Sequence, residues 1–322
     1  MTSVQPFRFA VQATKATSAK EWRDTARSVQ DLGYSTLFLA DHYLGPGPAQ
    51  REARWPAQHL APVAALATAA AVTDTLRVGC RVFCVDYHVP NVLAKEAATI
   101  DLLSDGRLEF GIGAGWSAPE YRAMGLEFAP AGRRVDKLVE VVALVKAQWG
   151  GESLDVRGKH VTAIDHAGLP LPVQRPHPPI MIGGSKRRVL SFAAREADIV
   201  SLANVPFAAH NDAGRTPAEE AAHRYGLVRE AAGGRISSLE VESSPFFARV
   251  TDDSASAADR VAHRLGVPSE GLLDHPNVLI GTLDQVVDRL RERRERFGAN
   301  YITVQQGEAE RFAPVVARLT GT

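Results

Sequence analysis

Short apolar runs alternate with amphipathic segments along most of the chain, and this alternation predicts its secondary structure. The stretch 76–116 shows the pattern clearly, because β-rich runs at Leu76–Cys84 and Leu108–Gly113 enclose a helical segment, 89–103. The apolar residues of that segment have the spacing of one helix face, and they are Val92, Leu93, Ala97, Ile100 and Leu103. Ser104-Asp105-Gly106-Arg107 then ends the helix and turns the chain. Strand, helix and strand joined in this way predict a parallel βαβ crossover.

The same alternation repeats over residues 1–322 and yields about eight strand–helix units, which we interpret as a single domain. The strands are short and continuously apolar, as is typical of a parallel sheet buried on both faces. We therefore predict an α/β protein of the (β/α)8, or TIM, barrel class. The proline-rich segment 150–179 is predicted to be an insertion at the carboxyl-terminal mouth, 44–55 a loop, and Leu239–Val250 one strand-like run. An open, doubly wound sheet stays open as an alternative, because periodicity cannot show that a sheet closes.

Composition narrows the class of protein. Of the 322 residues, 45% are hydrophobic, so the chain can bury a large core. Basic and acidic residues number 37 each, and this balance argues against binding to nucleic acid or to an anionic membrane. The chain has neither a signal-type N-terminus nor a run of about 18 apolar residues, which favours a cytoplasmic protein. Its two cysteines, Cys80 and Cys84, are expected to be buried free thiols, and no metal-ligand spacing such as H-E-x-x-H occurs.

Glycines mark the carboxyl end of the second strand of the crossover. Gly111, Gly113 and Gly115 would let a ligand approach the backbone with no side chain in the way. A tight turn between strand and helix explains the same pattern about as well. A Rossmann dinucleotide site fits less well, because that motif belongs on the first strand of a domain and Trp116 stands here where its helix should begin.

A second glycine pair follows the short apolar strand 179–182. Gly183-Gly184-Ser185 lies at a predicted strand-to-helix junction, so backbone N–H groups and the helix dipole would point at one anion. Arg187 and Arg188 follow within the first helical turn, and their charge favours a phosphate. The alternative is a plain junction of helix and strand with surface arginines.

Asp41 and His42 follow another buried strand, and we expect both at the carboxyl mouth, where barrel enzymes build their active sites. Histidine exchanges protons near neutral pH, so His42 is a candidate acid or base. A helix-capping pair beside an ordinary loop would explain the same two residues.

Four segments together resemble the luciferase-like monooxygenase superfamily, and most of all its branch that uses coenzyme F420, a 5-deazaflavin. They are LFLADHY at 37–43, VLAKEAATIDLLSDGRLEFGIGAGW at 92–116 followed by PEYRAMG at 119–125, RRVDKLVEVV at 133–142, and PPIMIGGSKRR at 178–188. The LSDGR…GIGAGW segment is specific, and the order of the others supports it. The resemblance covers most of the first two thirds of the chain. It implies a barrel with an insertion that covers the site, a small-molecule substrate and a homodimer.

The resemblance also assigns roles to residues. It places Asp41 and His42 beside the reactive ring, with His42 as the proton-transfer candidate, and we take both as candidate catalytic residues. It places the cofactor phosphate after the fifth strand, although barrels usually bind phosphate after strands seven and eight. Arg81-Val82 matches a bulge with a non-proline cis peptide behind the ring, although family members commonly have a small residue where Arg81 stands. The candidate cofactor-binding residues are Arg81, Val82, Gly113, Glu120, Tyr121, Gly183, Gly184, Ser185 and Arg187.

Three residues that follow the crossover, Trp116, Glu120 and Tyr121, have roles that the resemblance does not settle. Some sugar-phosphate dehydrogenases of this branch place a carboxylate where Trp116 stands, and tryptophan cannot exchange their catalytic proton, so we discount that activity. Glu120 and Tyr121 lie one turn later and could reach the cofactor, but a solvated helix start explains them about as well.

The leading functional hypothesis is an oxidoreductase that passes a hydride between coenzyme F420 and an unsaturated or oxidised small organic molecule. An FMN-dependent monooxygenase working with a separate flavin reductase is the first alternative. A flavin-binding protein without turnover is the second.

Overall fold

The computed structural model describes residues 5–322, and twelve strands occur in this part of the chain. They are β1 (Arg8–Ala13), β2 (Thr36–Leu39), β3 (Arg77–Cys84), β4 (Leu108–Gly113), β5 (Leu154–Arg157), β6 (Thr162–His166), β7 (Ile180–Gly184), β8 (Ile199–Leu202), β9 (Glu240–Ser243), β10 (Phe247–Val250), β11 (Val278–Gly281) and β12 (Tyr301–Gln305). Eight of them form a closed parallel barrel in the order β1-β12-β9-β8-β7-β4-β3-β2. The predicted (β/α)8 class is therefore confirmed, and the open-sheet alternative is wrong.

Helices follow most of the barrel strands. They are α1 (Ala19–Asp31), α2 (Pro48–Ala53), α3 (Pro62–Ala71), α4 (Pro90–Leu103), α5 (Ala118–Ala123), α6 (Ala131–Gly150), α7 (Arg187–Glu196), α8 (Pro217–Ala232), α9 (Ser254–Leu265), α10 (Leu283–Phe297) and α11 (Ala309–Leu319). Short 3-10 turns occupy Gly233–Ser238, Leu272–Asp274 and Gln306–Glu308. By this order β7 is the fifth barrel strand of the chain, as predicted.

Two elements differ from the prediction. Leu239–Val250 is not one strand, because β9 ends before Pro245 and β10 pairs with β11 in a separate parallel sheet. Proline has no N–H for a central ladder, which explains a break there. The expected loop 44–55 also contains the short helix α2.

The buried face of α4 is not the one that apolar spacing indicated. Val92 and Leu103 are 51% and 65% exposed, so these two members of the predicted apolar face do not lie in the core. The helix instead buries a face rich in alanine, with Leu93 and Ile100 as its larger members. Small side chains such as alanine let a helix lie close to its neighbours. The periodicity of large apolar residues does not indicate which face packs in this way.

The LSDGR turn is held by side chains that return to the backbone. Ser104 Oγ accepts a hydrogen bond from the backbone N–H of Arg107 at 3.1 Å, and Gly106 adopts φ +77°. The Arg107 guanidinium donates to the carbonyls of Leu76 and Ala70 at 2.7 and 2.9 Å. The most specific motif of the resemblance thus joins β4 to the end of α3 and the start of β3.

The insertion is anchored by two carboxylates. β5 and β6 form an antiparallel hairpin, and Glu140 accepts hydrogen bonds from the backbone N–H groups of residues 159–161 between them. Asp101, buried in α4, accepts from the N–H groups of Val173 and Gln174 at 2.7 and 3.0 Å. The segment is therefore an insertion outside the barrel, as predicted. Gln174 also contacts Arg77 and the carbonyl of Leu108 at the starts of β3 and β4, so this end of the insertion does not lie at the carboxyl-terminal mouth.

Backbone contacts divide the chain into two compact units. One comprises residues 13–30 and 36–182, and the other comprises 31–35, 183–322 and the described N-terminal residues through Gln12. We call them the first-half unit and the second-half unit. The single-domain prediction stays a prediction.

Candidate active site

The first-half unit places a carboxylate–imidazole pair after β2. β2 is buried along its whole length, and the chain continues through Asp41 to His42. Nδ1 of His42 lies 2.6 Å from Oε2 of Glu120, which stands on α5 after β4. The other oxygen of Glu120 accepts the backbone N–H of Tyr43 at 2.6 Å. One carboxylate thus holds both the imidazole of His42 and the backbone of the next residue.

Glu120 is a buried carboxylate whose hydrogen bonds favour its charged form. Its side chain is 1% exposed, whereas that of His42 is 12% exposed. Burial works against the charged form, but hydrogen bonds from His42 and from the Tyr43 backbone outweigh it and hold the pKa of Glu120 below its usual value. The solvated helix start that we considered for Glu120 is therefore wrong.

A second carboxylate–imidazole pair lies next to the first. Oδ2 of Asp41 is 2.9 Å from Nε2 of His88 and accepts the backbone N–H of Cys84 at 2.8 Å. The ring of His88 packs edge-on against Phe83 at 5.4 Å. Asp41 thus ties the end of β2 to the end of β3 and to the loop that follows it.

The bulge expected in β3 is present. Pairing between β3 and β4 shifts register between Cys80 and Phe83, and the peptide bond Arg81–Val82 is cis. The position suggested by the resemblance is therefore confirmed for the cis bond. Its contact with a cofactor ring stays a prediction.

The glycines of β4 make room for this bulge. A Cβ at Gly111 would overlap the carbonyl oxygen of Cys80, and one at Gly113 would lie 2.8 Å from Cγ2 of Val82. Gly115 has φ +73°, and a Cβ there would overlap the hydroxyl of Tyr121. The missing side chains of these glycines therefore make room for the protein's own chain, and contact of Gly113 with a ligand stays a prediction.

Tyr121 belongs to a buried network. Its side chain has no exposed surface, and its hydroxyl donates to Oδ2 of Asp86 at 2.7 Å and lies 3.0 Å from Sγ of Cys84. Lys137 reaches the other oxygen of Asp86 at 2.7 Å. Burial raises the pKa of Tyr121 and raises that of Cys84 to about 11, so both stay protonated. Cofactor binding by Tyr121 has no support from this packing, whereas the prediction of buried free thiols at Cys80 and Cys84 is confirmed.

The second-half unit contains the predicted anion loop. Gly183 and Gly184 end β7, Ser185 is half-buried, and α7 begins at Arg187 with no side-chain hydrogen bond capping its first turn. A Cβ at Gly184 would overlap Cγ1 of Val189, so this glycine lets α7 pack close to the strand end.

The arginine next to this loop has another partner. Nη1 of Arg187 lies 3.4 Å from Oε2 of Glu230 on α8, and the two side chains are 65% and 69% exposed. The interpretation of a surface arginine thus gains support at Arg187, and its role toward a phosphate stays a prediction.

Sequence reasoning identified Asp41, His42, Glu120 and Tyr121 but missed the residues that bind Asp41 and Tyr121. His88, Asp86 and Lys137 were not singled out, because nothing in the local pattern marks them. Within residues 5–322, no group of three His, Cys, Asp or Glu side chains could hold a metal ion. In the same described residues, no helix is both long and apolar enough to cross a membrane.

The chain combines a closed barrel, a cis-peptide bulge in β3 and a histidine after β2. Comparison with known proteins identifies the family that shares these features. The family model of the luciferase-like monooxygenases matches residues 1–301, and the chain belongs to this family.

Individual relatives are more distant. An uncharacterised protein of Mycobacterium tuberculosis is 32% identical over 186 residues, which cover 54% of this chain and 64% of that protein's length. An FMNH2-dependent dimethylsulfone monooxygenase of Pseudomonas putida is 33% identical over 109 residues, 34% of this chain and 30% of that enzyme. Among solved structures, the coenzyme F420-dependent tetrahydromethanopterin reductase of Methanopyrus kandleri matches with a TM-score of 0.76 at 18% identity, covering 98% of this chain and 100% of that one. The similar proteins therefore include users of F420 and of FMN.

Proposed function

We propose that this protein is an oxidoreductase that passes a hydride between coenzyme F420 and an unsaturated or oxidised small organic molecule, acting as a reductase. The observation that carries the proposal is the pair His42–Glu120. A hydride transfer needs a proton donor or acceptor for its second half, and this pair supplies one at the end of a barrel strand.

The geometry selects the atom of His42 that would exchange the proton. Glu120 is ionised and accepts from Nδ1, so Nδ1 carries a hydrogen and Nε2 is left as the second ring nitrogen. Nε2 has no hydrogen bond to any of the residues 5–322. His42 would therefore exchange its proton through Nε2, while Glu120 holds the ring in place and Asp41 stays bound to His88.

Unmet polar atoms beside the pair fit a flat heteroaromatic ring. Oδ1 of Asp41 and Oγ of Ser117 are buried and have no hydrogen-bond partner among the described residues. Buried polar groups are normally satisfied, so these two atoms suit the N–H and carbonyl edge of a flavin or deazaflavin. Bound there in its reduced form, the deazaflavin would supply the hydride and would react poorly with oxygen.

The phosphate of the cofactor would bind at Gly183-Gly184-Ser185. No side chain caps the first turn of α7, so its backbone N–H groups and the helix dipole favour an anion there. FMN carries a phosphate too, so this loop does not separate the two cofactors. The preference for F420 comes from the resemblance of the motifs to the deazaflavin branch.

The experiment is a calorimetric titration of the purified protein with oxidised F420 and with oxidised FMN, followed by oxygen uptake with each reduced cofactor. We expect F420 to bind at least about tenfold more tightly and oxygen uptake to stay at background. Tight FMN binding with oxygen consumption, and no affinity for F420, would instead favour an FMN-dependent monooxygenase.

We also propose a homodimer that works in the cytoplasm. α4 exposes Val92 and Leu103, and Val89, the residue before this helix, is 65% exposed. The three side chains give an apolar surface suited to contact with a second copy of the chain. Sedimentation of the wild type and of a Val92→Glu variant tests this, and a monomeric wild type would contradict it.

A further inference from the structure

The four tryptophans of the chain fall into two classes. Trp22 and Trp149 are buried, and each donates its indole N–H to a backbone carbonyl, of Ala65 and Ala94 respectively, at 2.9 Å. This is what indoles normally do in a protein interior, where the ring packs and the N–H finds an acceptor.

Trp55 and Trp116 differ on both counts. Nε1 of Trp55 is buried and has no acceptor among residues 5–322, and Trp116 is 53% exposed. A buried donor without an acceptor is costly, and a large exposed aromatic ring beside it adds apolar surface in contact with water. Neither is explained by the packing of the first-half unit.

Both rings lie against the imidazole of the proposed proton carrier. The ring centre of His42 is 5.2 Å from that of Trp55 and 5.6 Å from that of Trp116, and the two indoles are 5.7 Å apart with planes at 68°. We call His42, Trp55 and Trp116 the tryptophan cage. Gln50 of α2 donates to the carbonyl of Trp55, so the short helix that the sequence did not predict helps to hold one wall.

We propose that the tryptophan cage binds the organic substrate, and that this substrate is a flat, apolar, unsaturated molecule with a carbonyl oxygen. The exposed indole of Trp116 offers a stacking face, the unpaired N–H of Trp55 offers a hydrogen bond to the oxygen, and His42 adjoins both. The inference rests on the proposed function only in calling the bound molecule the substrate.

A matched pair of probes tests the two parts of the inference. 2-Acetylnaphthalene is flat and carries a carbonyl, and 2-ethylnaphthalene has the same rings without the oxygen. Protein labelled with 15N in its tryptophans gives one indole N–H signal for each of the four residues, and the signals are assigned with single Trp→Phe variants. We expect the acetyl compound to shift the Trp55 signal in a saturable way, while the ethyl compound shifts Trp116 and leaves the Trp55 N–H without a hydrogen-bond shift.

Variants then separate hydrogen bonding from stacking. Trp55→Phe keeps a ring and should weaken 2-acetylnaphthalene about 3- to 10-fold while leaving 2-ethylnaphthalene unchanged, because one neutral hydrogen bond is lost. Trp116→Ala should weaken both probes by a similar factor. Trp22→Phe is the matched control and should change neither affinity. An equal loss of both probes in Trp55→Phe, or no saturable shift at Trp55, would overturn the proposal.

The titrations are run without and with F420, so that failure of the proposed function can be distinguished from failure of the proposal for the cage. Binding of the acetyl compound without any affinity for F420 would contradict the proposed function and leave the cage supported. Binding of F420 without binding of either naphthalene probe at the cage would support the proposed function and contradict the proposal for the cage. Glucose 6-phosphate serves as a polar probe, and a shift of the Trp116 signal by it would also contradict the assigned substrate class.

Discussion

The carboxyl end of β2 and the start of α7 are both strand-end regions of the barrel, and they are built in opposite ways. After β2, side chains from distant parts of the sequence form hydrogen-bonded pairs, Glu120 with His42 and Asp41 with His88. At α7, the candidate site is bare backbone, and the nearest arginine pairs with Glu230 in solvent. A site of side chains is sensitive to each residue, whereas a backbone site is sensitive mainly to what blocks it. Substitutions should therefore affect the two regions unequally.

The largest expected effect is at His42. His42→Ala should keep the fold and most of the cofactor affinity, while turnover with a true substrate falls by about 10²–10⁴, the usual contribution of a positioned acid or base. His223→Ala, on α8, is the matched control and should retain full turnover. If turnover falls less than threefold in His42→Ala, His42 is a structural residue. The proposed contrast between a side-chain site after β2 and a backbone site at α7 would then lose its basis.

Glu120→Gln tests whether the buried charge stabilises the first region. Because the pKa of Glu120 is lowered from 4.5, its contribution to stability is present above that pH and is lost as the pH falls through the lower folded-state value. At pH 7 we expect the variant to lose about 1.5–3 kcal/mol of unfolding free energy, the worth of a hydrogen bond to a charged group.

Urea unfolding of wild type and variant at pH 7, 5 and 3.5 measures this difference. It should shrink at the lowest pH, because the wild-type carboxylate is then increasingly protonated. Glu310→Gln, at an exposed position of α11, is the control and should change stability by less than about 0.5 kcal/mol at every pH. A penalty that does not depend on pH would mean that shape, and not charge, holds the pair together.

Ser185→Asp tests the backbone region by placing like charge beside the proposed phosphate. We expect the dissociation constant for F420 to rise at least about tenfold, with the melting temperature little changed. Ser269→Asp, on an exposed turn, is the control. Gly184 is a poorer choice, because any side chain there would overlap Val189 and disturb packing. Unchanged affinity in Ser185→Asp would exclude the loop from the site.

The smallest expected effect is at Arg187. Its guanidinium is exposed and already paired with Glu230, so Arg187→Gln should raise the dissociation constant for F420 by less than about threefold. The same titration measures it. A tenfold loss would show that Arg187 turns to the anion on binding, and the contrast between the two regions would then be smaller than the structure suggests.

Much of the framework follows from local sequence. β4 spans Leu108–Gly113, as predicted, and α4 spans Pro90–Leu103, within one residue of its predicted bounds, because apolar runs, turn residues and helix ends act over a few neighbouring residues. The motif resemblance added the cis bond at Arg81–Val82, which no periodicity indicates.

The partners of the site residues were decided by tertiary structure alone. His42 meets Glu120 across 78 residues and Asp41 meets His88 across 47, and such contacts depend on the paths of the loops between the strands. The same holds for Gly113, whose missing side chain makes room for Val82. Sequence patterns describe how a segment prefers to fold, whereas the neighbours of a buried side chain are set only when all segments have packed.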